Sequence, residues 1–146
     1  MSSIFLINIF TALFAAGLIW TIQLVHYPSM HFVSKNEFES FHYFHQKRIS
    51  IIAMPLMAIE LISSIILLLQ NFENNTSLIF KINFMIIILI WFSTFFMQVP
   101  LHQKLSKGKN DILIDKLVFT NWFRTVLWTL RSILMLFLLA FFMNLI

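Results

Sequence analysis

The sequence predicts an all-α fold, a four-helix transmembrane bundle forming one integral-membrane domain over residues 1–146. Three observations carry that prediction. Of the 146 residues 60% are hydrophobic and 11% charged, against about half and about 25% in soluble domains. Mean hydropathy is +0.87. The apolar residues fall in four runs, about 4–25, 49–69, 78–100 and 121–146. Each is long enough to cross ~30 Å of hydrocarbon at about 1.5 Å per residue. The runs are continuous rather than alternating, which fits helices and not barrel strands.

The first run has no Lys or Arg before Lys35. It is also longer than the apolar core of a signal peptide, so it reads as a retained span. After it, Ser34-Lys35-Asn36-Glu37 has the capping-box pattern, which predicts a helix start at about Lys35. That helix carries Phe38, Phe41 and Phe44 toward the second run. The second and third runs are joined by a short segment, Asn71–Ser77, whose single charge is Glu73; Lys81 follows just inside the third run. Before the fourth run, Ile112, Leu113, Ile114, Leu117 and Val118 predict a short amphipathic interfacial helix starting at Asp111.

Basic residues gather in two segments. Lys35, Lys47 and Arg48 lie between the first two runs, and Lys104, Lys107, Lys109, Lys116 and Arg124 between the last two. The positive-inside rule makes both cytoplasmic and puts both termini outside. The Ile, Asn, Lys and Phe bias points to an AT-rich bacterial genome, hence a multi-pass protein of the bacterial inner (plasma) membrane. The net charge of +4 follows from this topology and a lipid bilayer; it calls for no nucleic acid.

The chain also reads as two helical hairpins of one design. Val25-His26-Tyr27-Pro28 with Ser34-Lys35 is echoed by Gln98-Val99-Pro100 with Ser106-Lys107, at the same distance from each proline. Duplication, or the constraints common to any hairpin with a cytoplasmic loop, accounts for this equally well.

Composition narrows the chemistry. There is no Cys, and Gly17 and Gly108 are the only glycines. Disulfides, thiolate catalysis, Cys-ligated metals and glycine-rich phosphate loops are excluded. Any redox step therefore needs a borrowed metal or cofactor.

Polar residues inside spans are costly and turn toward the bundle interior or a wet cavity. Here they fall on definable faces of the cytoplasmic halves. Gln23 and His26 share one face; His42, His45 and Glu60 lie near one stripe; Thr94 and Gln98 are one turn apart, with His102 beyond Pro100. Arg124, Trp128 and Arg131 are spaced i, i+4, i+7, after Asn121. Asn8 and Asn83 are exceptions in otherwise apolar outer halves. Glu60 lies ~17 Å past Ile49, and Arg131 ~10 Å past Arg124. The second and fourth spans run the same way, which predicts a Glu60–Arg131 pair.

The five histidines, His26, His31, His42, His45 and His102, all map to the cytoplasmic side. His42 and His45, i and i+3, could share a transition metal or a haem. Capping, headgroup bonding and proton handling are the plain alternatives. Trp20, Trp91, Trp122, Trp128 and Tyr27 read as packing and interface anchors. Arg124 and Arg131, with Lys47 and Arg48, suit a carboxylate or phosphate.

The set Trp20, Gln23-Leu24-Val25-His26-Tyr27-Pro28, His42, His45, Arg48, Pro55, Glu60, Val99-Pro100-Leu101-His102 and Asn121-Trp122-Phe123-Arg124-Thr125 resembles an uncharacterised family of small bacterial four-helix integral membrane proteins. The resemblance covers most of the chain and implies no particular reaction. More distantly, the layout is similar to the four-helix, haem-binding protoporphyrinogen oxidase of bacteria, through length, basic loops and the order Arg48, Pro55, Met57. That second resemblance implies haem. That family carries a haem-ligand His inside its first span, whereas here the first span has none before His26.

The expectation is a small membrane oxidoreductase, or redox-cofactor-binding subunit, acting on a hydrophobic or anionic small molecule in a cytoplasm-facing pocket. His26, His42, His45 and His102 would bind haem or a transition metal. Glu60 would move protons, Arg124 and Arg131 would hold substrate charge, and Gln23, Gln98, Asn121 and Trp128 would complete the pocket. One alternative is a non-enzymatic small transporter or assembly partner, for which four spans require a homodimer. The other is a cofactor-free enzyme using His and Glu as acid and base.

Overall fold

The computed structural model describes every residue except Met1, Asn71, Glu73 and Ile146. The end of the fourth predicted run and the single loop charge Glu73 thus lie outside the described residues. Four long apolar helices make up the fold: α1 (Ser3–Phe32), α2 (Phe38–Leu69), α3 (Asn75–Leu105) and α4 (Asp111–Phe142). Among the described residues there is no strand. Each helix is long and apolar enough to span a bilayer, and the protein has the form of a multi-pass membrane protein.

The helices form a closed ring in chain order. α1 packs against α2 and α4, and α3 packs against the same two. The α1–α2 and α3–α4 connections lie at one end of the bundle, here the loop end; both termini lie at the other. Large apolar side chains such as Phe10, Phe96, Ile133 and Phe137 face outward. With no apolar–aqueous contrast between helix faces and lipid, such a surface is what a bilayer requires.

Every helix is longer than its predicted run. The amphipathic stretches expected at the loop end are present, but they continue the spans. Phe38–Arg48 is the start of α2, and Asp111–Val118 is the start of α4. Hydropathy stops at the first charges, whereas backbone hydrogen bonding does not. The start of α4 is as predicted: Asp111 is its first residue, and Asn110 Oδ1 accepts from Leu113 N at 3.1 Å. The capping box is not formed. Ser34 Oγ donates to the Glu37 carboxylate at 2.7 Å, and α2 begins only at Phe38. Glu37 N donates to Ser34 O at 3.2 Å instead of to the Ser34 hydroxyl, closing a turn ahead of the helix. α1 is capped by Ser2, whose hydroxyl accepts from Phe5 N.

α1 and α3 share an irregularity that hydropathy does not reveal. Each contains a π-helical turn, Ile22–His26 in one and Thr94–Gln98 in the other. Each turn ends two residues before a proline, Pro28 or Pro100. A proline ring collides with the carbonyl four residues back, here Leu24 or Phe96, and both lie inside the widened turns. The π turn therefore absorbs a clash that would otherwise kink the helix. α2 and α4, 32 residues each, complete the two hairpins. The repeat seen in the sequence thus extends to backbone geometry.

The loops are tied together across the bundle. Lys109 Nζ donates to His31 O (2.6 Å) and Val33 O (2.9 Å). His31 reaches Asp111 at 3.1 Å and Asp115 at 3.0 Å. Gly108, with φ +131°, makes the turn out of α3 where a side chain would be strained.

The core has two apolar layers. Near the termini, Phe5, Ile9, Leu67, Phe80, Met135 and Leu138 pack together. Toward the loop end, Ile19, Met30, Phe38, Leu105, Ile114 and Leu117 belong to a larger cluster.

Candidate functional site

The buried polar residues resolve into two centres of different character. The first is built on the Glu60–Arg131 pair. The ion pair foreseen from helical spacing is present, with both side chains fully buried. Arg131 spends its other donors on two asparagines. Nε donates to Asn83 Oδ1 and Nη2 to Asn8 Oδ1, each at 2.9 Å. Asn8 Nδ2 donates in turn to Ser63 Oγ (2.7 Å) and Ser64 Oγ (2.8 Å), and Asn83 Nδ2 to Ser64 Oγ (3.1 Å). The second Glu60 oxygen accepts from Trp128 Nε1 at 3.1 Å. All four helices contribute, and the partners close on one another. Such a network is costly only if left partly unsatisfied, and every side chain in this one has its partner.

The second centre lies at the loop end. His26 and His45 stack face to face with ring centroids 4.0 Å apart. His42 Nε2 is 3.0 Å from His102 Nδ1, and His102 Nε2 is 3.0 Å from the Tyr27 hydroxyl. Phe41 stacks on His26 and Phe38 on His42, walling the cluster with aromatic faces. The residues come from α1, α2 and α3. The π turns end at His26 and at Gln98, so the irregular backbone lies at the cluster's edge.

Beside it is a cavity of about 140 Å³ lined by, among others, Tyr27, His102, Gln98, Arg124, Trp128 and Met57. Ser50, Met54 and Val99 also line it and are exposed. They sit on adjacent α2 and α3, so the cavity opens on the flank of the bundle along that seam. Arg124 is buried. Its Nη1 donates to Asn121 Oδ1 at 3.3 Å, and its guanidinium lies 4.9 Å from the Trp128 ring centroid. Among the described residues no carboxylate is paired with it. Asn121 Nδ2 donates to Gln23 Oε1 (2.8 Å), and Gln23 Nε2 to Val118 O (3.1 Å). Gln98 Nε2 donates to Thr120 Oγ1 at 3.1 Å.

The predicted site residues therefore divide. His26, His42, His45 and His102 do come together. Gln98, Arg124, Trp128 and His102 line one cavity, and Gln23 and Asn121 stand behind Arg124. Glu60 and Arg131 do not join them. The single His/Glu/Arg pocket expected from the sequence is two sites: Arg131 is held by Glu60 and by Asn8 and Asn83, which lie toward the termini. Trp128 joins the two, its indole nitrogen on Glu60 and its ring face under Arg124. His31 stands apart at the surface. Tyr27, read from sequence as an interface anchor, is 4% exposed and hydrogen-bonded inside the cluster.

The histidines do not form a ligand set as they stand. Among the described residues no three His, Asp or Glu side chains are disposed to hold one metal ion. Imidazole lone pairs lie in the ring plane, so the stacked His26 and His45 rings direct theirs side by side rather than to one point. Both His102 nitrogens are engaged by His42 and Tyr27. Comparison with family models, with curated proteins and with solved structures finds no match to this chain.

Proposed function

We propose that the protein is a small membrane acid/base enzyme that exchanges a proton with a hydrophobic molecule entering from the bilayer. The observation that carries this reading is the chain His42 Nε2, His102 Nδ1, His102 Nε2, Tyr27 Oη, with both gaps 3.0 Å. It ends at a residue that lines the cavity. Such spacing is within reach for direct proton transfer. With His42 protonated, its Nε2 proton passes to His102 Nδ1. The Nε2 proton of His102 passes to Tyr27, and the tyrosine proton to the bound molecule. His42 is left neutral, and the reverse order takes a proton from the molecule. The loop end is the cytoplasmic side in this reading, since its connections are basic, and the membrane is a bacterial inner membrane. The Glu60–Arg131 pair holds the helices that carry the relay.

The test is made in deuterated water. Protein in bilayers is incubated with a bacterial lipid extract, which is then profiled by mass spectrometry. Carbon-bound deuterium, or a new product, is expected with the wild-type chain and absent with His102→Phe and Tyr27→Phe. No difference between the wild type and these folded variants refutes the relay.

One observation favours a second reading, a redox-cofactor-binding subunit. His26 Nε2, His42 Nδ1 and His45 Nε2 are buried without a hydrogen-bond partner, and unpartnered imidazole nitrogens are what a haem or transition metal takes. An absorption spectrum with elemental analysis of purified protein decides it. A Soret band or stoichiometric metal, lost in His45→Ala, supports that reading; colourless, metal-free protein from supplemented cells refutes it.

A further inference from the structure

The two buried arginines are electrostatically unlike. Arg131 is neutralised by Glu60, and each of its three nitrogens has an acceptor. Arg124 is buried too, at 8% exposed, but has no carboxylate partner among the described residues. Its Nε is buried with no acceptor. The side-chain acceptors near it, Asn121 Oδ1 at 3.3 Å and the Tyr27 hydroxyl, are both neutral. Trp128 offers only the face of its ring. A buried guanidinium left in that state is costly, and it lines the cavity.

Apart from Tyr27, Ser50, Thr94, Gln98 and His102, the rest of the lining is apolar. Ala15, Leu18, Ile19, Ile22, Met54 and Met57 offer a sleeve for hydrocarbon, with Met adapting to irregular shapes. The exposed lining residues Ser50, Met54 and Val99 face the lipid side of α2 and α3. The volume, about 140 Å³, holds a small head and the first carbons of a chain but not a diacyl lipid.

We infer that this cavity binds a single-chain amphiphile with an acidic head, the acid group paired with Arg124 and the tail leaving between α2 and α3 into the bilayer. Carboxylate and phosphate heads share the required chemistry, since either accepts paired N–H bonds from a guanidinium. The inference deepens the acid/base reading: it names the substrate class, and it puts the acid head beside Tyr27 at the end of the relay.

The test is native mass spectrometry of the full chain in non-ionic detergent, titrated with stearate, methyl stearate and 1-stearoyl-lysophosphatidate. One acidic ligand per chain is expected to bind saturably. The neutral ester should bind roughly 10- to 100-fold more weakly, the range for a hydrogen bond to a charged group. Arg124→Gln should bring the acid down to the level of the ester, and Arg124→Lys should recover part of the difference. Preference for stearate or for lysophosphatidate identifies the head as carboxylate or phosphate. Equal binding of acid and ester by the wild type overturns the inference without needing any variant to fold. So does undiminished acid binding by folded Arg124→Gln, or no binding of either acid. His102→Phe separates this inference from the relay. If it keeps Arg124-dependent binding and the wild type shows no proton exchange, only the relay fails. If exchange depends on His102 while acid and ester bind alike, only the acid-head inference fails.

Discussion

Replacing Glu60 with glutamine keeps the shape of the side chain and keeps an oxygen for Trp128 Nε1, but removes the charge opposite Arg131. The guanidinium has no route to solvent, being fully buried. Its remaining side-chain acceptors, Asn8 and Asn83, are neutral. Breaking one member of such a pair costs about 3–5 kcal/mol, because a buried charge is left behind. Interhelical polar contacts inside membranes are often weaker, averaging about 0.6 kcal/mol, but those measurements concern mainly groups that find other partners on unfolding. Here the alternative partners are already in use, so the larger figure governs. For a chain of this length each kcal/mol moves the melting temperature by about 2–4 °C, which gives a drop of roughly 6–20 °C. The assay is thermal unfolding in a mild detergent followed by circular dichroism. The double variant Glu60→Gln/Arg131→Met should recover a large part of the loss, since it removes the unpaired charge. A melting temperature for Glu60→Gln within about 2 °C of the wild type, or a double variant as unstable as the two single losses combined, refutes the account of this network.

Three further outcomes are expected. Asn8→Ala and Asn83→Ala each remove an acceptor from Arg131 and should each lower stability by about 1.5–3 kcal/mol, read by the same melting assay; a loss confined to one of them shows that the other contact is dispensable. At the loop end, His31→Ala should be nearly silent, below about 1 kcal/mol, because its partners Asp111 and Asp115 are largely exposed. Lys109→Met should be worse, and hydrogen exchange should rise at residues 31–33, where Lys109 holds the His31 and Val33 carbonyls. Tyr27→Phe should change the ¹⁵N shift of His102 Nε2 while leaving the His42 contact; an unchanged His102 spectrum would mean that the Tyr27 hydrogen bond is not formed.

The fold was readable from sequence because hydropathy alone selects spans, and four continuous apolar runs admit few arrangements. The Glu60–Arg131 pair was readable for a similar reason. Depth along two parallel helices is simple arithmetic, and an isolated charge in hydrocarbon needs a partner. Asn8 and Asn83 were set aside as exceptions because each stands alone in its own run; only the ring of four helices brings them to one guanidinium. Span ends were drawn short, since amphipathic turns at the loop end lower hydropathy without ending the helix. The π turns leave no trace in composition, although Pro28 and Pro100 were already marked as a repeat. The difference between Arg124 and Arg131 was readable only in part. Depth puts Arg131 level with the carboxylate, but both arginines lie on the stripe shared with Trp128, and only the packed bundle leaves Arg124 without a counter-charge among the described residues.

That difference bears on where the proposed ligand would sit. In hydrocarbon an unpaired buried polar group costs about 1–3 kcal/mol, so selection should remove such groups wherever they serve nothing. In the Glu60–Arg131 centre no side-chain atom is left without a partner among the described residues. At the loop end, His26 Nε2, His42 Nδ1, His45 Nε2, Gln98 Oε1 and Arg124 Nε are all unpaired. Next door the fold gives every nitrogen of a buried arginine an acceptor. Of the loop-end residues, Gln98 and Arg124 line the cavity, so the proposed acidic guest would meet their unpaired atoms, whereas His26, His42 and His45 lie outside its lining.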